Sequence, residues 1–358
     1  MSKFNIDGHK MQYHLDRVEQ WKNDPLNTFP VYVEISPVGH CNHRCTFCAV
    51  DYIGYKNRKL DVTKLKDSLY NMGYHGVRSV MYAGEGEPLL HPEIGEIVQY
   101  TSLLGIDVAF TTNAVALTPK FVDTTLECIT WIKISCNAGD PKTYAKIHQT
   151  REEDWKKVWK NIEYAVSQRN EKNLKTTIGV QTLLLPDNAE TLHDLARRCR
   201  DTGVDYLVVK PYSHHHASIT QEYKNIKYED VYKSTLASLQ QFVSSKFEIT
   251  AREKSMESWD SSDRGYSKCY STPYFWAYIM ASGDVYGCSA YLEDSRFKYG
   301  NINEQVFSDI WRGERRKASM EYVEHKLDIS ECRKNCRMDK VNRFLWDVKH
   351  PGEHKNFI

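Results

Sequence analysis

Residues 31–48, VYVEISPVGHCNHRCTFC, decide the fold of this chain. The first six are rich in β-branched and aromatic side chains, which predicts a short strand. The loop that follows carries three cysteines within eight residues, Cys41, Cys45 and Cys48. Three thiolates in one loop can hold three corners of an iron–sulfur cube and leave one iron open to another ligand. The stretch therefore predicts a metal centre at the carboxyl end of the first strand.

The same triplet is also compatible with a structural zinc ion, with His40 or His43 as the fourth ligand. His43 lies between Cys41 and Cys45, which is too close for a comfortable tetrahedral arrangement. Spacing alone therefore favours an iron–sulfur cluster but leaves zinc open.

Length and charge narrow the class of protein. The chain has 358 residues, which suits one large domain and a smaller one. Its formal net charge of +1 gives no general attraction to nucleic acid or to an anionic membrane. The first ten residues are polar and no apolar stretch could span a bilayer, so we expect a cytoplasmic protein. In a reducing compartment its ten cysteines are metal ligands more often than disulfides.

Residues 31–210 alternate short apolar runs with longer amphipathic ones. The runs that predict strands are residues 31–36, 77–82, 106–111, 131–136, 177–184 and 206–210. Helical patterns between them, and one more over residues 228–245, predict a parallel sheet covered by helices. Six strand–helix units are too few for a closed eightfold barrel, so we expect an α/β fold with a partial (β/α)6 barrel. A doubly wound sheet is the alternative, and in both folds ligands bind at the carboxyl ends of the strands.

A second group of cysteines follows the barrel region: Cys269, Cys288, Cys332 and Cys336. A hairpin with Gly283 and Asp284 at its turn is predicted between the first two. Four thiolates can hold either an iron–sulfur cluster or a zinc ion. We predict an N-terminal extension (1–30), the barrel (31–250), a linker (251–268) and a small α+β domain (269–358).

The cysteine triplet, with an aromatic residue before its third cysteine, resembles the motif of the radical S-adenosylmethionine (radical SAM) superfamily. Residues 83–88, AGEGEP, resemble the Gly-Gly-Glu-Pro stretch of that family, with Glu85 at the position of its first glycine. The resemblance implies a [4Fe–4S] cluster on the triplet whose open iron binds SAM. In that family, reductive cleavage of SAM gives a 5′-deoxyadenosyl radical that removes a hydrogen atom from the substrate.

The resemblance also implies roles for residues at the strand ends. Phe47 is expected near the adenine of SAM. Gly86 allows close backbone approach, and Glu87 offers an acceptor to the methionine ammonium. The remaining candidates for SAM binding are Asn113, Ser135, Asn137 and Gln181. Taken singly, such residues are more often turn formers, caps or buried structural amides.

The later cysteines resemble the twitch form of the SPASM auxiliary domains, which holds one [4Fe–4S] cluster on four cysteines. When four cysteines ligate all four irons, no iron has a free coordination position for the substrate. Complete ligation by protein therefore implies a role in electron transfer or structure. The resemblance further implies an electron donor of the flavodoxin or ferredoxin type.

Three residues are candidates for catalysis. Cys136 ends the fourth strand and could donate a hydrogen atom to a substrate radical, although a core cysteine is the commoner situation. Lys210 and His214, in the segment that ends the sixth strand, could bind a phosphate or take a proton. A solvated polar loop is the alternative for this segment.

Two radical reactions compete for a sugar-like, nucleotide-activated or aminocyclitol substrate. One oxidises a carbinol and passes an electron to the auxiliary cluster, and the other returns a hydrogen atom and epimerises the carbon. Modification of a ribosomally made peptide ranks lower, because residues 1–30 are too few for a peptide-recognition domain. A zinc-stapled binding protein is the non-enzyme alternative, and it would be colourless whereas iron–sulfur proteins are brown.

Overall fold

The computed structural model describes residues 8–228, 230–252, 256, 264–333 and 336–357. Its helices are α1 (Leu15–Asn23), α2 (Val62–Tyr74), α3 (Ile94–Leu103), α4 (Pro119–Thr125), α5 (Pro141–His148), α6 (Glu152–Glu171), α7 (Leu192–Thr202), α8 (Asp230–Ser238), α9 (Phe307–Arg312), α10 (Glu314–His325) and α11 (Asp339–Lys349). Its strands are β1 (Tyr32–Ile35), β2 (Ser79–Tyr82), β3 (Asp107–Thr112), β4 (Trp131–Ser135), β5 (Thr177–Leu184), β6 (Tyr206–Pro211), β7 (Glu248–Ala251), β8 (Trp276–Ile279), β9 (Asp284–Tyr286) and β10 (Lys298–Asn301). Within these ranges no helix combines the length and the apolar character needed to cross a bilayer.

One ten-stranded sheet runs through the molecule in the order β10-β9-β8-β1-β2-β3-β4-β5-β6-β7. Neighbours from β1 to β7 pair in parallel, as the alternation of strands and helices predicts. The sheet stays open, because β7 and β10 are its two edges. The partial barrel is thereby confirmed, and all six predicted strands are present. The seventh parallel strand, β7, was not predicted from the sequence.

The two faces of the barrel strands differ in burial. Side chains alternate between the faces of a strand, and on β4 Ile132 and Ile134 pack into the main core beneath the helices. Trp131, Lys133 and Ser135 point the other way and stay partly accessible. The inner side of the barrel is therefore an open space, which we call the lumen. It is lined by Thr111, Trp131, Lys133, Ser135, Gln181 and Lys210.

The C-terminal cysteine region shares the sheet of the barrel. Strand β8 pairs in parallel with β1 along its whole length, and β9 returns antiparallel to β8. The predicted hairpin is confirmed, and Gly283 in its turn has a left-handed φ of 85°. The domain boundaries stay a prediction, and residues 253–255 and 257–263 of the proposed linker lie outside the described residues.

Glu85, which stands where the related motif has glycine, joins the barrel to this hairpin. One carboxylate oxygen accepts the Ala281 backbone N–H at 2.9 Å, and the other pairs with Arg58 at 3.0 Å. The side chain has no exposed surface. Burial raises the pKa of Glu85, and the two donors oppose that rise. The carboxylate thus satisfies two groups that would otherwise be left without a partner.

Replacing Glu85 with alanine should destabilise the protein by about 2–4 kcal/mol, because a buried N–H and a guanidinium lose their acceptor. The measurement is the thermal midpoint and denaturant midpoint of the iron-loaded protein. Glu93→Ala removes an exposed carboxylate and should change stability by less than about 0.5 kcal/mol. Equal midpoints for the two variants would contradict this role of Glu85.

Candidate metal and cofactor site

The first cysteine triplet lies in the loop after β1, at the carboxyl edge of the sheet, and all ten cysteines of the chain are free thiols. Burial, reinforced by Glu87, raises the pKa of Cys41 to about 12. Burial also raises the pKa of Cys45, and the charges of Cys48 and Cys41 add to the effect. The three thiols therefore converge in a place where their ionised forms require a positive centre.

The spacing of the sulfurs distinguishes a cluster from a single ion. A tetrahedral zinc ion with Zn–S bonds of about 2.3 Å brings its sulfurs to about 3.8 Å from one another. All predicted cysteine ligands are among the described residues, and no three of them have Sγ atoms within 4.8 Å of one another. The two cysteine sets are thus spread more widely than the ligands of one tetrahedral ion, as expected for cysteines that bind separate irons of a cluster.

One mixed group does come that close: ring nitrogens of His43 and His148 and the sulfur of Cys45 lie within 4.8 Å of one another. Nε2 of His148 accepts the backbone N–H of Asn137 at 3.1 Å, and Nδ1 is 3.4 Å from Cys45 Sγ. A neutral imidazole that accepts at Nε2 carries its proton on Nδ1. His148 therefore donates a hydrogen bond to the sulfur of a predicted cluster ligand.

Sequence reasoning missed His148 altogether. The residue is fully buried at the end of α5, and burial lowers its pKa well below the usual range, which keeps the ring neutral. Its contact with Cys45 joins positions 103 residues apart. The sequence holds no local signal that could have linked them.

Glu87 stands beside the triplet at the end of β2. Its Oε1 accepts the Thr112 hydroxyl at 2.5 Å, and its Oε2 accepts the Asn113 backbone N–H at 2.8 Å. Burial raises the pKa of Glu87 to about 7, although these donors stabilise the charged form. Asn113 in turn lies with its amide nitrogen 4.0 Å from Cys41 Sγ. The structure thus gathers Glu87 and Asn113 around the first cysteine, and their SAM-binding roles stay predictions.

Gly86 makes a close backbone approach possible. A Cβ at this position would lie 2.3 Å from the carbonyl oxygen of Val38 and 2.4 Å from that of His40. The approaching partner is therefore the segment that leads into Cys41. Glu87 strengthens the contact, because its N–H donates to His40 at 3.0 Å.

The other predicted SAM ligands divide into two groups. Phe47 packs edge-on against His148 with ring centroids 5.4 Å apart, and Ser135 and Gln181 face the lumen on paired positions of β4 and β5. Asn137 is buried, and its side-chain oxygen Oδ1 accepts the Leu183 backbone N–H at 2.6 Å. The side-chain amide of Asn137 is therefore hydrogen-bonded to the protein's own backbone. Phe47, Ser135 and Gln181, by contrast, border the candidate site.

The structure does not bring Cys136 to the lumen. Its thiol is fully buried in the main core, on the same face of its strand as Ile132 and Ile134. It lies 3.5 Å from the Ala138 carbonyl, and burial raises its pKa to about 12. A hydrogen atom donor must reach the substrate, so this placement corrects the candidate catalytic role.

Lys210 and His214 lie where the sequence predicts, at the end of β6 and just beyond it. Lys210 faces the lumen, and Nδ1 of His214 is 3.2 Å from the Tyr212 hydroxyl. His215 is the buried histidine of this run, and its Nε2 donates to the Ala290 carbonyl at 3.1 Å. His215 thus has a structural contact with the C-terminal region, while His214 stays partly accessible.

The four later cysteines also converge, although they come from separate segments. Cys269 precedes β8, Cys288 follows β9, and Cys332 and Cys336 lie between α10 and α11. Burial raises the pKa of Cys288, and the charges of the other three cysteines add to the rise. The arrangement provides a complete ligand set of four thiolates for a second cluster.

Residues 212–220, which we call the mouth segment, contact both cysteine sites. Arg333, the residue after Cys332, donates to the Ser213 hydroxyl at 3.1 Å. On the other side, the Asp51 carboxylate accepts the backbone N–H groups of Ile219 at 2.9 Å and Thr220 at 2.8 Å. The mouth segment is therefore held between the two predicted clusters.

Comparison with known families agrees with this geometry. The family model of the radical SAM superfamily matches residues 35–199, and that of the SPASM iron–sulfur cluster-binding domain matches residues 269–337. The chain belongs to the radical SAM superfamily and carries a C-terminal SPASM-type domain. The two domains imply three kinds of cofactor: a radical SAM [4Fe–4S] cluster, auxiliary iron–sulfur clusters and SAM.

Individual relatives match only part of the chain. The GTP 3′,8-cyclase of Chlorobaculum tepidum is 29% identical over 191 residues, which cover 51% of this chain and 55% of the cyclase. The GTP 3′,8-cyclase of Microcystis aeruginosa is 32% identical over 146 residues, covering 37% of this chain and 43% of the cyclase. The chain thus spans about half the length of these curated relatives, or less.

Solved structures extend the likeness to most of the chain. Streptococcus suis SuiB bound to S-adenosylmethionine aligns with a TM-score of 0.63 at 20% identity, over 85% of this chain and 70% of SuiB. The structure of anSMEcpe with bound AdoMet aligns with a TM-score of 0.58 at 16% identity, over 88% of each chain. At these identities the likeness establishes the fold.

Replacing Cys41 with alanine should lower the iron content from about eight to about four atoms per chain and abolish SAM cleavage. Only the first site loses a ligand, so the second cluster should remain. Iron and sulfide counts and 5′-deoxyadenosine release measure the two effects. Cys128→Ala, outside both sites, should leave both values unchanged. Stoichiometric zinc in the unaltered protein would contradict the assignment.

Replacing His148 with phenylalanine should make the potential of the first cluster more negative, on the order of 50 mV, because a hydrogen bond to a ligand sulfur is lost. Potentiometric titration followed by electron paramagnetic resonance measures the shift. Lys142→Ala changes an exposed residue on the same helix and should not move the potential. An unchanged potential in the His148 variant would rule out the hydrogen bond as a tuning contact.

Proposed function

We propose that this protein oxidises a carbinol carbon of a sugar, a nucleotide-sugar or an aminocyclitol. When bound, SAM and the two clusters would supply one-electron chemistry, with hydrogen-atom abstraction near the triplet and an electron acceptor at the second site. The observation that carries the proposal is the position of the mouth segment, which contacts both cysteine sites through Arg333 and Asp51. A substrate in the lumen would therefore lie between the two.

The chain supplies a residue for the proton that an alcohol must lose. His214 lies on the mouth segment and is partly accessible. Burial, reinforced by Lys224, lowers the pKa of His214 below its usual value, so the imidazole is neutral near pH 7. A neutral imidazole can accept the carbinol proton.

We propose a flavodoxin- or ferredoxin-type protein as the electron donor.

Epimerisation has less support, because the thiol that would return a hydrogen atom, Cys136, faces the core. Peptide modification rests on the likeness to SuiB, which was solved with its precursor peptide SuiA. A nucleotide substrate is the second candidate, favoured by the sequence match to GTP 3′,8-cyclases. Oxidation removes two hydrogens from the substrate, whereas epimerisation or ring closure without net oxidation keeps its formula.

The experiment is an anaerobic screen of the reconstituted protein with SAM, a reductant and a panel of sugars, sugar phosphates, nucleotide-sugars and aminocyclitols. We expect a substrate-dependent rise in 5′-deoxyadenosine and a ketone product. A product with the same formula as the substrate would contradict oxidation and favour epimerisation or ring closure.

Cys332→Ala should retain SAM cleavage but lose most of the oxidised product, because the second site no longer has its full ligand set. The measurement is the ratio of product to 5′-deoxyadenosine, with Cys128→Ala as the control. If the Cys332 variant makes as much product as the unaltered protein, the electron-accepting role of the second site is wrong.

A further inference from the structure

Two lysines face the lumen from strands on either side of β5. Lys133 alternates on β4 with core residues Ile132 and Ile134, and Lys210 follows the core residue Val209 on β6. Both side chains are partly accessible although they lie inside the barrel. Both lysines flank β5, where Lys133 pairs with Gly179 and Lys210 with Leu183, and the charge of Lys133 lowers the pKa of Lys210. The two ammonium groups thus share one region of the lumen.

The charges that act most strongly on Lys210 are positive. Among the described residues, neither lysine forms an ion pair, and the other charges that act on Lys210 are those of Arg252 and Arg333. The Nζ of Lys133 lies 5.0 Å from the centroid of the Trp131 ring. The acidic residue that faces the lumen from β1, Glu34, is paired with Arg337.

Such an arrangement is unfavourable without a ligand. Burial lowers the pKa of Lys133 to about 8, and burial followed by the neighbouring cations lowers that of Lys210 well below its usual range. Buried charges in proteins are normally paired, and an anion between the two lysines would restore both ammonium forms. Uncompensated cations in a cavity are a common mark of a binding site.

We propose that Lys133 and Lys210 form an anion subsite that binds a phosphoryl group of the substrate. The inference rests on the proposed function for the reaction and adds the class of molecule that undergoes it. A phosphoryl group carries up to two charges and three acceptor oxygens, so it can bridge separated cations as a single carboxylate cannot.

This anion subsite distinguishes between the proposed classes of substrate. A sugar phosphate or a nucleotide-sugar brings the negative charge that the lysines lack. An aminocyclitol carries a cationic amine, which the same lysines would repel. Phosphorylated sugars are therefore the substrates that this lumen favours.

The test is calorimetric titration of the anaerobic, iron-loaded protein with inorganic pyrophosphate and, separately, with succinate. Lys133→Gln and Lys210→Gln should each weaken pyrophosphate binding by at least about tenfold. Lys210→Arg keeps the charge and should retain most of the affinity. Lys157→Gln, exposed on α6, should bind as the unaltered protein does. Iron content and the visible spectrum check that each variant is folded and loaded.

Pyrophosphate affinity that is absent, or equal in the lysine variants and the unaltered protein, would overturn the subsite. Succinate binding as tightly as pyrophosphate would overturn its assignment to a phosphoryl group. Release of 5′-deoxyadenosine by the unaltered protein tests the proposed radical function separately. An active enzyme without a lysine-dependent anion site would therefore disprove the subsite alone.

Discussion

The pairing of β1 on both of its edges holds the two cysteine sites in one framework. On one side β1 forms the parallel ladder with β2 that begins the barrel, and on the other it pairs with β8. The triplet leaves the carboxyl end of β1, while Cys269 precedes β8 and Cys288 follows β9. A hydrogen-bonded sheet fixes its neighbouring strands at about 4.8 Å, so the separation of the two sites is set by backbone rather than by a linker.

The order of strands and the position of the triplet could be predicted because both depend on local composition. Apolar runs of β-branched residues mark each barrel strand, and a glycine marks the hairpin turn at Gly283. Strand β7 escaped prediction because it has only four residues and follows a helical pattern. The parallel pairing of β8 with β1 was also hidden, since it joins segments more than 200 residues apart.

In the candidate site, too, some features follow from the local sequence and others depend on contacts between distant residues. Cysteine ligands could be named from spacing, whereas their hydrogen-bonding environment, such as His148 on Cys45, depends on tertiary contacts. For Cys136 the sequence did hold a signal: it stands two residues after Ile134, and alternation places both on the core face. For the same reason Lys133 shares a face with Ser135 and belongs to the lumen.

The contact between Asp51 and the mouth segment joins the substrate entrance to the loop of the first cysteine triplet. Asp51 lies three residues beyond Cys48, and its carboxylate accepts the backbone N–H groups of Ile219 and Thr220. A shift of the triplet loop would therefore be transmitted through these two hydrogen bonds to the mouth segment, so the shape of the entrance is coupled to the position of the first three thiolates.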